Sequence, residues 1–148
     1  MNSSTLDRAG IAARIPHHGS MCLLDRLEQW SPDAVRCSAT SHLDPANPLR
    51  SAGGLLAPVA IEYASQAMAL HGSLCAAPGS APTPGFLASV RGVKLLVPRL
   101  DEMPGRLAIT VRRLVGVERQ ALYSFALHGE QGALLVEGRA TVILNALP

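Results

Sequence analysis

The segment PVAIEYASQAMALHGSLCAA, from Pro58 to Ala77, limits the folds open to this chain more than any other stretch. Pro58 suits the first turn of a helix, so a helix is predicted to begin there. Nearly every position after it is apolar or small. The polar residues Glu62, Ser65, Gln66 and Ser73 form one narrow stripe at helical spacing. A helix that apolar cannot lie on a surface and must be wrapped by other elements.

The sequence supplies the wrapping as strands. DAVRCSATSH alternates Val35, Cys37 and Ala39 with Arg36, Ser38 and Thr40, which is strand periodicity. After the helix come GFLASVRGVKLLV, GRLAITVRRLV, ALYSFALH and ALLVEGRATVIL. The last two flank GEQG, a turn signal. Short connections between successive strands imply antiparallel pairing. The predicted architecture is α+β: a single domain over residues 1–148, with an antiparallel sheet around one buried helix. LDPANPLRSAGG before the helix and PGSAPTPG after it read as loops. GIAAR is predicted as a short amphipathic piece that stops at Pro16, and SMCLLDRL as another helical turn or two.

Composition narrows the function classes. Hydrophobic residues make up 48% of the 148, enough for a sizeable core, and aromatics only 3%. The net charge of +2, without a Lys/Arg run, argues against a nucleic-acid partner. Cys22, Cys37 and Cys75 form no CxxC pair, so a reducing, cytoplasmic address is expected. MNSSTLDRAGIAARIPHHG has no apolar core of a signal peptide. No uncharged apolar run reaches membrane-spanning length, so no membrane association is expected. No His has metal-ligand spacing, so no metal is expected.

IPHHGSMCLLDRL and GLLAPVAIEYASQAMALHG together resemble the opening segment and central helix of hotdog-fold 3-hydroxyacyl-acyl-carrier-protein dehydratases. GFLASVRGVKLLV is similar to the strand that follows that helix. The branch most resembled belongs to aryl-polyene and related polyketide pathways. The resemblance implies a hotdog fold, usually a dimer whose sheets join into one, with active sites at the subunit interface. It implies a substrate held as an acyl thioester on acyl carrier protein or coenzyme A, the chain being carried on phosphopantetheine, and no cofactor of the protein's own. The partner subunit is either a second copy or a related hotdog chain.

Dehydration of a 3-hydroxyacyl thioester needs a base for the α-proton, an acid for the leaving hydroxyl, and donors for the thioester carbonyl. By resemblance Glu62 is the acid. A carboxyl in an apolar helix can keep a proton near neutral pH, as a general acid must. From the residues alone, Glu62 reads first as one member of a polar stripe with Ser65 and Gln66. The family sets its catalytic His in the loop before the helix, within His-Pro-Leu; this chain has Asn47-Pro48-Leu49. Asn47 cannot act as a base, but it can donate a hydrogen bond.

His17 matches a His of the opening motif, with packing and catalysis both open to it. His42 reads as a surface residue at a strand end. His71 suits a helix C-terminus. Gly53 and Gly54 allow close approach of a thioester to the backbone, or simply a flexible loop. Gln66 is a second candidate carbonyl donor. Arg91, Lys94, Arg99, Arg106, Arg112, Arg113 and Arg119 give the strand half a basic tilt. That tilt suits a phosphate or an acidic carrier, or a solvated sheet face.

The expected function is a 3-hydroxyacyl-thioester dehydratase relative. A hotdog thioesterase using Glu62, and a non-catalytic partner subunit, are the alternatives.

Overall fold

The computed structural model describes residues 5–76, 85–117 and 119–144. A short helix, α1 (Arg8–Ala12), leads to strands β1 (Arg26–Ser31) and β2 (Ala34–Ala39). The long helix α2 (Ala60–Cys75) follows. The chain then adds β3 (Gly85–Leu95), β4 (Leu107–Val117), β5 (Gln120–His128) and β6 (Leu134–Leu144). All six strands join one antiparallel sheet in the order β1-β2-β4-β5-β6-β3.

The period-2 pattern of the strands decides which face meets α2. Val35 and Cys37 of β2 pair with Val111 and Ile109 of β4. These in turn pair with Phe125 and Leu127 of β5, and all six side chains are buried. The helix lies across β2, β4 and β5. Ala60, Ala64 and Ala67 are wholly enclosed, as are Tyr63 and Leu70. Their small side chains let the helix axis approach the sheet. On β6, Gly138 sits under the Phe125 ring, and a Cβ there would lie 2.7 Å from its Cζ.

The helix is entered through a 3-10 turn, Ala57–Val59, with Pro58 in its first positions. No side chain caps α2. It stops at Cys75 because Ala76 is extended, with ψ of 156°. The prediction had carried it to Ala77, which lies outside the described residues, as does most of the loop PGSAPTPG.

The segment SMCLLDRL departs from expectation. Only Gly19–Met21 form a 3-10 turn. Cys22, Leu23 and Leu24 are extended and fully buried, and they feed β1, a strand not anticipated from the sequence. Their backbone groups find side-chain partners instead of a helical ladder. Arg8 Nη2 donates to Cys22 O at 2.8 Å, and Leu23 N donates to Gln66 Oε1 at 2.9 Å.

The sheet face turned away from α2 carries much of the basic tilt. Arg91 pairs directly with Arg139, which sits opposite Ser124, and Ser124 opposite Arg112. The outer edge of β3 has no partner strand among the described residues. Phe86 and Leu95 on that strand are about half exposed.

Candidate active site

The first turn of α2 presents Glu62 at the protein surface, its side chain one-third exposed. Three neighbours determine its state. His17 Nε2 lies 3.1 Å from Glu62 Oε1. Gln66 Nε2, one turn along the helix, donates to the same oxygen at 3.2 Å. The other oxygen, Oε2, has only a long contact of 3.5 Å with Ser65 Oγ. Oε1 therefore accepts from Gln66 and lies beside the His17 ring, while Oε2 has only the long Ser65 contact. His17 comes from the chain ahead of Gly19–Met21, far from Glu62 in sequence. Its Nδ1 is covered and has no hydrogen-bond partner among the described residues.

Gln66 fixes this arrangement. It is fully buried, its Oε1 accepts from Leu23 N, and its Nε2 also donates to Met21 O at 2.7 Å. One amide thus straps the segment that follows His17 to the helix that carries Glu62. With these bonds made, Gln66 sits inside the protein, away from the exposed side of Glu62.

Asn47 is also engaged. Its Nδ2 donates to Ser41 O at 2.9 Å and to Tyr63 OH at 3.3 Å, and its Oδ1 accepts from Leu49 N at 2.9 Å. The residue is buried at 6% exposure. As placed, one N–H ties the loop to Ser41 in the turn after β2 and the other ties it to Tyr63 of α2. Tyr63 completes the knot through Ser41 Oγ at 2.8 Å, and burial raises its phenol above the ordinary range.

The glycines separate. Gly53 is exposed with room around it. Gly54 is buried, at φ of +100°, and a Cβ on it would stand 2.5 Å from Arg99 Nη2. Its positive φ requires glycine, and the Arg99 guanidinium lies over the loop as well.

His42, predicted at the surface, is fully buried. Its Nε2 donates to Met103 O at 2.9 Å, and burial lowers its pKa. His71 is enclosed as well, between Tyr123 OH and Ser31 O, each at 2.9 Å. Among the described residues, no group of three or more His, Cys, Asp or Glu side chains could hold a metal ion. No helix among them is long and apolar enough to cross a membrane.

Two residues that sequence reasoning passed over stand beside this region. Arg50 and Asp101 join Arg99 in a cluster next to the segment leading into α2. Nothing in their local spacing announces it, because the cluster forms only when the β3–β4 connection packs along residues 55–57.

A six-stranded antiparallel sheet curved around one long helix, with a carboxylate on that helix's first turn, defines a protein of the hotdog class. The sequence matches the ApeP-like family, described as ApeP dehydratase, over residues 9–146. The chain belongs to that family. Among solved structures it is similar to the dehydratase heterocomplex ApeI:P from Xenorhabdus doucetiae. That likeness has 25% identity and a TM-score of 0.81, over 90% of each chain. The thioesterase HI1161 from Haemophilus influenzae aligns with a TM-score of 0.68 at 15% identity, over 99% of this chain and 96% of that one. AziG from S. sahachiroi aligns with a TM-score of 0.61 at 16% identity, over 82% and 90%. These last two likenesses concern the fold. No curated protein matches the sequence.

Proposed function

We propose that this chain is a subunit of a 3-hydroxyacyl-thioester dehydratase in which Glu62 is the proton-transfer group. The observation that carries the reading is the asymmetric hold on Glu62. Gln66 donates to Oε1 beside the His17 ring, and Oε2 has only a long contact with Ser65. A carboxylate held that way keeps one oxygen in a fixed direction, as proton transfer to or from a substrate carbon or hydroxyl requires. In the dehydration direction the Cα–H bond breaks and its proton goes to a base. The Cβ–O bond then breaks, and the departing hydroxyl takes up a proton and leaves as water. His17 acts as a positioning residue: its ring, 3.1 Å from Oε1, holds the carboxylate in place between transfers.

The second proton carrier comes from across a subunit interface. Asn47 occupies the loop position that the resemblance gives to a His, and its amide is tied to Ser41 and Tyr63. The free edge of β3, with Phe86 and Leu95 half exposed, suits pairing with another hotdog chain. A long, flat, apolar edge left open invites aggregation. The partner is a related hotdog subunit or a second copy. The relative from Xenorhabdus doucetiae, a heterocomplex, supports the first. The substrate is an acyl chain on phosphopantetheine, no cofactor of the chain's own takes part, and the free cysteines suit a reducing cytoplasm.

The test follows a short enoyl thioester with the purified protein, alone and mixed with a second hotdog dehydratase subunit. Loss of enoyl absorbance and release of free thiol are recorded together. Absorbance loss without thiol, abolished by Glu62→Gln, is the expected result. Thiol release dependent on Glu62 would make the protein a thioesterase. A mixed complex that works equally well with Glu62→Gln would leave this chain a non-catalytic partner.

A further inference from the structure

Beside the entrance to α2, two arginines converge on one buried carboxylate. Arg99 Nη2 donates to Asp101 Oδ2 at 2.6 Å, and Arg99 Nε to Oδ1 at 3.1 Å. Arg50 Nη2 reaches the same oxygen, Asp101 Oδ2, at 3.2 Å. The Asp101 side chain is 5% exposed and also accepts from Leu55 N at 3.0 Å. The Arg99 guanidinium holds its pKa far below the ordinary carboxylate range. Glu102 is the other nearby acid, mostly exposed, with a 3.8 Å contact to Arg99.

This arrangement does more than staple a loop. Asp101 meets both guanidinium groups from the inside, and Glu102 meets Arg99 from its exposed side. Arg50 and Arg99 remain about one-third exposed. Arg50 Nε and Nη1, and Arg99 Nη1, make no hydrogen bond to any described residue. Planar guanidinium forks set side by side match the oxygens of a phosphate. Gly54 is shaped to this end, since any side chain there would push Arg99 away. The pair is fixed to the segment that becomes α2, because Leu100 N donates to Leu55 O and Ala57 N to Pro98 O. From Leu55 to Glu62 the chain runs through two extended residues, the 3-10 turn and the first helical turn. At ordinary rises per residue that path spans at most roughly 15 Å. That lies within reach of a pantetheine arm, with its phosphate at one end and the thioester at the other.

We infer that Arg50 and Arg99, preset by Asp101, bind the phosphate of the pantetheine arm and thereby register the thioester on Glu62. The inference rests on the proposed acyl-thioester substrate. It identifies which residues on this chain recognise the carrier's arm.

The test compares two thioesters of the same acyl group, one of coenzyme A and one of N-acetylcysteamine, which has no phosphate. Arg50→Gln and Arg99→Gln are each expected to raise KM for the coenzyme A thioester about tenfold, as loss of a charge-assisted contact predicts. Both variants should leave kcat, and all kinetics on the N-acetylcysteamine thioester, as in wild type. Arg50→Lys should recover part of the loss, since it keeps the charge. Equal effects on both substrates, or none on either, would overturn the inference. If wild type turns over neither thioester, the proposed function fails separately. Calorimetric titration with phosphopantetheine then decides the site: binding weakened in both arginine variants supports it, and no binding by wild type overturns it.

Discussion

At one end of α2, His17 meets Glu62 at a partly exposed surface, with one carboxylate oxygen left over. At the other end, His71 is enclosed and both its ring nitrogens are used. Its Nε2 must be the protonated one, because Ser31 O can only accept. Nδ1 then accepts from Tyr123 OH, whose ring stands edge-on at 5.6 Å. Burial pushes the Tyr123 phenol up to about 12, so it stays a donor. Both ends pair a helix residue with a polar group from a distant segment. The C-terminal end is saturated and enclosed, and it stabilises the fold. The N-terminal end keeps unused hydrogen-bonding capacity at the surface, where a substrate can use it.

The strongest way to break this comparison is to remove charge at the N-terminal end. Glu62→Gln keeps the shape and should lower enoyl-thioester hydration by about 100-fold or more. The melting temperature should stay close to wild type, because the site is partly exposed. At the other end, His71→Ala should have the opposite profile. It leaves a cavity and strips Tyr123 OH and Ser31 O of their partner, a loss of about 2–4 kcal/mol in urea denaturation. Turnover per folded molecule should be unchanged. Tyr123→Phe removes only the donor to Nδ1 and should cost about 1–2 kcal/mol.

Acid should act on the enclosed histidines in a known direction. Burial lowers the pKa of His71 and of His42. Above an unfolded pKa of about 6.5, neither the folded nor the unfolded state carries the proton. Below it, the unfolded chain takes up protons that the folded chain refuses. Their contribution to stability is therefore fully present above pH of about 6.5 and declines as the pH falls toward their folded values. Urea midpoints between pH 7.5 and 5 should fall, and His71→Gln should flatten that fall. The smallest effect belongs to Ser65→Ala, which removes a 3.5 Å contact. Stability should change by no more than about 0.5 kcal/mol, and the rate hardly at all.

The sheet-and-helix plan was legible because both periodicities are clean. Val35, Cys37 and Ala39 on β2, and Leu107, Ile109 and Val111 on β4, alternate as they face the core. Strand β1 was hidden because only Leu27 of Arg26–Ser31 is buried and a bulge between Leu27 and Gln29 breaks the alternation. The buried Cys22, Leu23 and Leu24 ahead of it show no alternation either, so the segment can be mistaken for a helical turn. Glu62 stood out as the lone acid of an apolar helix. Its pairing with His17 could not be read, because it depends on Gln66 strapping the segment after His17 onto α2. The burial of Asn47 and His42 is likewise a product of loop packing. Alternation in DAVRCSATSH ends before His42, and nothing in the sequence turns that side chain inward.

The central claim is that Glu62 transfers the proton and His17 acts through it. A double-mutant cycle on thioester hydration tests this most directly, using Glu62→Gln, His17→Gln and the pair together. If His17 acts only through Glu62, the double variant should be no slower than Glu62→Gln alone, a strongly non-additive result. Losses that multiply would show two groups acting independently on the substrate, and a Glu62→Gln rate equal to wild type would remove Glu62 from the mechanism.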